Sequence, residues 1–180
     1  MFQNIFSEIP CIEVGDIALR KVTLADKESL KKMTVTAEVY KYLPAFLYEK
    51  KYEDTEFVIN HMYDEVVNDS LILGIYRDGE FCGLTEIYGF RDEALKLSVG
   101  CRLMKEYQGE GIVTEVLKLL TEYLYNETET EMMTASALPE NKASERVLEK
   151  AGFTLAERNV PEDWGYENPL PTDKWVKKIR

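Results

Sequence analysis

The chain has 180 residues, 45% of them hydrophobic and 31% charged, and a formal net charge of -11 at pH 7. That is enough apolar material for one soluble domain over residues 1–180, and it contains no apolar run long enough to suggest a membrane span. The acidic balance argues against nucleic acid as a direct partner, because a phosphate backbone calls for a basic surface; cationic or amine-bearing partners suit it better.

In chain order, Ile17–Leu24 alternates as a first strand, and Asp26–Met33 follows as a helix entered through Thr23 or Asp26. Pro44 predicts a break near Tyr42 and Leu43, since the residue before a proline is pushed out of the helical region. From Asp54, the residues Phe57, Ile59, Met62, Tyr63, Val66 and Val67 share one helical face, with His61 on or near the opposite one. Two strands, Leu71–Tyr76 and Phe81–Tyr88, are joined by Arg77-Asp78-Gly79-Glu80, and Asp-Gly is a strong hairpin signal. A turn near Arg91, Asp92 and Glu93 leads into a strand Leu95–Met104.

Next comes Glu106-Tyr107-Gln108-Gly109-Glu110-Gly111, with the helix Val113–Tyr125 directly behind it. Two glycines between a strand end and a helix start leave several backbone N–H groups unpaired, with the positive end of the helix dipole behind them. Each such N–H given to a phosphate oxygen is worth about 1.5–3 kcal/mol, so the stretch is a candidate anion cradle. It fits neither G-x-G-x-x-G nor a P-loop, and a plain glycine turn before an ordinary helix remains open. The remaining elements are a strand Met132–Leu138, a helix Lys142–Lys150 ended by Gly152, a strand Phe153–Asn159 and a last strand Thr172–Ile179. The connection Val160–Pro171, with Trp164 and Tyr166, is long enough to cover a site. Hairpins followed by alternating strands and helices predict an α/β or α+β fold with a mixed sheet.

Cys11, Cys82 and Cys101 are odd in number and widely spaced, which argues against a disulfide framework and against a zinc site. No basic start leads into an apolar stretch, so no signal peptide is read, and the expected location is cytoplasmic.

The stretch Asn141-Lys142-Ala143-Ser144-Glu145-Arg146-Val147-Leu148-Glu149-Lys150-Ala151-Gly152-Phe153 resembles N-x-x-S-x-x-V-L-E-K-x-G-F, a signature of the GNAT superfamily of acetyl-CoA-dependent N-acetyltransferases. The likeness is to the branch containing the ribosomal-protein N-terminal acetyltransferases. Gln108-x-x-Gly111 is similar to that family's pyrophosphate motif, and weaker matches carry the resemblance from about Ile17 to Phe153. It implies a mixed, mostly antiparallel sheet of about seven strands with about four helices on its faces. Two central strands splay apart, and acetyl-CoA, the co-substrate, lays its pantetheine arm in the gap. Arg102, Leu103 and Met104 would offer backbone groups to that arm. Gln108, Gly109, Glu110, Gly111, Ile112, Val113 and Thr114 would hold the pyrophosphate, and Asn141 and Ser144 would face the arm and the sulfur. Val113 departs from the family's Gly or Ala, and the expectation is that its side chain points away from the cofactor.

The implied reaction is acetyl transfer to a primary amine of a peptide N-terminus or a small molecule, with no metal. The acceptor alternatives are a polyamine, an aminoglycoside or an amino acid; a non-catalytic acyl-CoA-binding module is a further one, and a homodimer is allowed. Some relatives carry a base Glu and an acid Tyr at positions that are Ser136 and Leu148 here, so those roles do not transfer. Glu86, read as sharing a strand face with Cys82, Leu84 and Tyr88, is the candidate base in a partly apolar setting. Tyr88 and Ser144 are the candidate proton donors. Deprotonating a lysine amine at pH 7 costs about 4.6 kcal/mol against about 1.4 for an α-amine, so an α-amine could rely on water alone.

Overall fold

The computed structural model describes residues 8–64, 69–91 and 95–180. Eight strands form one sheet: β1 (Ile12–Val14), β2 (Ile17–Arg20), β3 (Ser70–Arg77), β4 (Glu80–Arg91), β5 (Lys96–Leu103), β6 (Met132–Ala137), β7 (Thr154–Glu162) and β8 (Leu170–Lys178). Their spatial order is β1-β2-β3-β4-β5-β6-β8-β7, and each neighbouring pair is antiparallel except β5 with β6. The strand beyond the expected seven is β1, three residues folded back through Gly15 at φ +62° and too short to show a pattern.

The helices are α1 (Lys27–Val35), α2 (Ala37–Tyr40), α3 (Tyr48–Lys51), α4 (Thr55–Phe57), α5 (Ile112–Glu127) and α6 (Lys142–Lys150). The excess over the expected four comes from single-turn pieces around Pro44, where the chain was expected to break. Asp54 caps α4, its side chain accepting from the N–H groups of Glu56 and Phe57. The chain then widens into a π-turn over Val58–Met62, which rotates the apolar face. Val58, Ile59 and Tyr63 are buried as a result, while Phe57 is exposed and stacks on His61 at 4.9 Å between ring centroids. Val66, Val67, Asp92 and Glu93, named in the sequence reading, lie outside the described residues.

The sheet has a core on each face. On one face α5 buries Val116, Leu117, Leu120 and Leu124 against Ile87, Leu97 and Met133, with α6 adding Leu148. Each such side chain contributes about 1.5–3 kcal/mol of transfer free energy, which fixes where α5 begins. On the other face Leu30, Met33, Val39, Val58 and Tyr63 pack on Ile72, Tyr76 and Leu84. The β3–β4 turn is as expected, with Asp78 at φ +50° and Gly79 at φ +81°. Cys82 is the extra residue of a bulge opposite Ile75 and Tyr76. It drops into the α5-side core while Phe81 and Leu84 join the other, so Cys82 does not share a face with Leu84 as the unbroken alternation implied.

Two further differences concern the site. The expected loop Val160–Pro171 shrinks to Asp163–Pro169, because β7 and β8 extend until Glu162 pairs with Leu170. Pro161 is accommodated because β7 is an edge strand. The expected splay is present: β5 and β6 pair only at Lys96/Met132, Leu97/Met133 and Ser98/Thr134. Beyond that point β5 runs on to Leu103 and β6 to Ala137 with no ladder between them.

Candidate active site

The gap between β5 and β6 is a cavity of about 220 Å³. Gly100, Cys101 and Arg102 form one side and Ala135, Ser136 and Ala137 the other, with Val113 and Leu117 of α5 and Asn141 and Ser144 of α6 behind them. A strap of Tyr42, Leu43, Pro44, Phe46 and Leu47 closes over it together with Trp164. The strap is held by Ala45 N–H, donated to Trp164 O at 2.7 Å, and by Tyr166 O–H, donated to Leu43 O at 2.7 Å.

The cradle has the backbone its sequence suggests. Gly109 and Gly111 sit at φ +80° and +81°, a region other residues enter at a cost. Gly111 caps α5, and the first bond at that helix start runs from Glu115 N–H to Gly111 O at 3.2 Å. The N–H groups of Ile112, Val113 and Thr114 therefore precede the helical ladder and carry its dipole. Ile112 and Thr114 are buried, whereas Val113 is half-buried, packs on the α5-side core and also lines the cavity, so it is not turned wholly away from the gap as expected. Gln108 turns back toward β5: its Nε2 donates to Leu103 O at 3.1 Å and its own N–H goes to Lys105 O at 3.3 Å, so its backbone N–H is not offered to the cradle as expected. Glu110 is drawn toward the β3–β4 turn by an ion pair with Arg77, which also reaches Asp16 at 3.3 Å.

The strand register corrects the expected backbone donors. Met104 N–H is donated to Cys82 O at 2.8 Å, so it faces β4 and is not offered to the gap. Antiparallel alternation turns the backbone of Arg102, opposite Leu84, the same way, and leaves Leu103 and Cys101 facing the gap.

The Arg102 side chain, whose role the sequence did not suggest, anchors a buried network. It forms a two-point pair with Glu49 of α3, Nη2 donating to Oε2 at 2.9 Å, and its Nη1 lies 3.4 Å from Glu86 Oε2. Tyr63 O–H donates to Glu49 at 2.6 Å and Tyr40 O–H at 3.2 Å, while Ser70 O–H donates to Glu86 Oε1 at 2.7 Å. Burial alone would raise the Glu49 carboxyl, but the Arg102 charge and the bonds from Arg102 and Tyr63 outweigh it and hold it below the usual range. Glu86 lines the cavity, yet its setting is this polar network and not the partly apolar one expected. Nothing in Tyr48-Glu49-Lys50-Lys51 marks Glu49 as buried; the run reads as a solvated turn.

Tyr88 also lines the cavity, and burial, with the charges of Glu162 and Glu86, holds its phenol well above the usual tyrosine range. It keeps its proton at neutral pH, as a donor must. Asn141 Oδ1 accepts from Ser144 N–H at 3.2 Å, so the helix-cap role is real and both residues still line the cavity. Ser136 is held by Lys174 Nζ at 2.8 Å, and Lys174 pairs with Glu162 at 2.6 Å. The Cys101 thiol is pushed up to about 11 by burial and lies 3.3 Å from Thr85 Oγ1, the setting of an unreactive packing residue. Among the described residues no group of three or more His, Cys, Asp or Glu could hold a metal ion.

A protein-family model described as the acetyltransferase (GNAT) domain matches residues 16–154. YjcK of Bacillus subtilis (strain 168), named a probable N-acetyltransferase, is 34% identical over 87 residues, which is 46% of this chain and 48% of that protein. YdaF of the same organism is 29% identical over 100 residues, 56% of this chain and 54% of its own. The chain thus aligns with about half the length of each. RimL, a ribosomal-protein α-N-acetyltransferase solved with coenzyme A, superposes with a TM-score of 0.77 at 16% identity, covering 94% of this chain and 98% of that one. That likeness is one of fold. With the family's model spanning most of the chain and its splayed sheet and glycine cradle in place, the protein belongs to the GNAT acetyltransferase family.

Proposed function

We propose that the protein acts in the cytosol and transfers an acetyl group from acetyl-CoA to a primary amine, either a peptide N-terminus or a small molecule. The observation that carries this reading is the cavity formed where β5 and β6 part, flanked by a cradle whose N–H groups precede the α5 ladder. The free edge fits an arm that hydrogen-bonds as an added strand, with Cys101 and the N–H of Leu103 offering backbone groups. The N–H groups of Gly109 to Thr114 fit a pyrophosphate. Acetyl-CoA supplies a thioester carbonyl to which the amine nitrogen bonds as the C–S bond breaks. Glu86 holds the amine and receives its proton, and Tyr88, with Ser144 as the other candidate, returns a proton to the departing sulfur.

Thiol release from acetyl-CoA in the presence of a panel of amines, run beside a melting shift on adding CoA, tests the proposal. Release with at least one amine supports it, and the absence of any shift removes the cofactor assignment. A shift without release on every amine favours the second reading, a non-catalytic acyl-CoA-binding module. Ser136 and Leu148, standing where some relatives keep an acid–base pair, give that reading its support.

A further inference from the structure

The charges around the cavity do not cancel. Arg102 is shared between two carboxylates, Glu49 and Glu86, so this triad carries one net negative charge beside the cavity. Across the cavity Glu162 is neutralised by Lys174 at 2.6 Å and accepts a further bond from Thr172 at 3.0 Å. Burial would raise the Glu162 carboxyl, but those bonds and the Lys174 charge hold it below the usual range, so it stays charged and occupied. Among the described lining residues, Glu86 is thus the one carboxylate whose charge is not matched, and it is only partly exposed, so that mismatch is not fully relieved by water. The strap and loop offer Leu43, Pro44, Phe46, Leu47 and Trp164, which are apolar.

We propose that the acceptor is a primary monoamine whose ammonium is its only charge and stands next to an apolar or aromatic group, bound with that ammonium at Glu86. This rests on the acetyl-transfer reading above. One ammonium completes the charge balance of the triad. A polyamine or an amino sugar would bring further ammonium groups for which no unmatched carboxylate lines the cavity. A free amino acid would bring a carboxylate beside Glu86, where the guanidinium and the lysine are already engaged. The same chemistry is presented by a small arylalkylamine and by a peptide that begins with an apolar residue.

The test uses phenethylamine, a short peptide amide beginning with phenylalanine, free phenylalanine and spermidine. Each is assayed for thiol release with acetyl-CoA and, separately, for calorimetric binding to the CoA-loaded protein. Phenethylamine or the peptide amide should exceed spermidine and phenylalanine at least tenfold in kcat/KM and in affinity, and whichever of the two leads identifies the source. Spermidine or phenylalanine binding as well as either overturns the proposal, as does the failure of all four to bind. CoA binding without thiol release defeats the acetyl-transfer reading and leaves the binding order to judge the acceptor. Glu86→Gln, which keeps the shape of the side chain, should weaken phenethylamine at least tenfold while the melting shift with CoA persists. Unchanged binding in that variant overturns the assignment; if it does not fold, the four-ligand order on the unaltered protein decides.

Discussion

Arg102 and Glu49 tie the strand that borders the cavity to the helix that follows the strap, as a buried pair with side chains only 4% and 2% exposed. Removing the cation leaves two carboxylates facing one another in a dry setting. Arg102→Met should therefore lower the unfolding free energy by about 3–5 kcal/mol, whereas the double variant Glu49→Leu, Arg102→Met should lose less than that single change. Urea unfolding of the three proteins measures both. A double variant as weak as Arg102→Met alone would show that the pair is not compensated in this way.

The pH dependence follows from the same carboxylate. Glu49 is held below its ordinary value of 4.5 in the folded protein, so its contribution is complete above about that pH and is lost as pH falls through the lower folded value. Glu49→Gln should flatten the acid side of a plot of unfolding free energy against pH, most visibly below about pH 4.5. An acid limb as steep as in the parent would place the lost protons elsewhere.

How far the sequence reached is plain from four features. The Lys142–Lys150 helix was legible to the residue, because its cap, its stripe and its closing glycine agree with one another. The cradle was legible as backbone, since two glycines between a strand end and a helix start leave N–H groups unpaired, but a plain turn would read the same. The network of Glu49, Arg102 and Glu86 was not, because it joins residues 53 and 16 apart that no local period connects. The Cys82 bulge was hidden for a related reason: a single inserted residue leaves the composition of β4 unchanged while exchanging its faces.

Tyr88→Phe removes the phenol O–H that β4 brings to the cavity beside Glu86, the other lining phenol, Tyr42, lying in the strap, and it should reduce kcat by about a hundredfold if that proton reaches the departing sulfur. Thiol release at saturating acetyl-CoA measures it. A loss below threefold, together with a hundredfold loss in Ser144→Ala, would move the role to Ser144.

Two glycines should lose stability for different reasons. At Gly83 an added Cβ would lie 2.1 Å from Arg102 O, so Gly83→Ala must push β4 and β5 apart and cost about 1–3 kcal/mol or more. At Gly111 nothing lies within 4 Å of that position, and the obstacle is φ +81° alone. Gly111→Ala should cost about 1–2 kcal/mol and weaken CoA binding by disturbing the cradle. Denaturant unfolding and calorimetric titration separate the two outcomes.

Val113→Ala should keep or improve acetyl-CoA binding, because the side chain packs on the core and its loss opens space at the helix start. The cost should fall on stability, about 1–2 kcal/mol. Calorimetric titration that finds a large loss of affinity would overturn this placement.

The seam at the middle of the sheet has a mechanical consequence. Among the described residues, Lys96 to Ser98, paired with Met132 to Thr134, are the only ladder between a plate of five strands and a plate of three. Past the seam each plate ends in an edge without a ladder partner, turned toward the cavity. A molecule that bonds to both edges at once adds rungs to the sheet, so part of its binding free energy appears as resistance to prising the plates apart. Cleft and three-rung joint are here the same place.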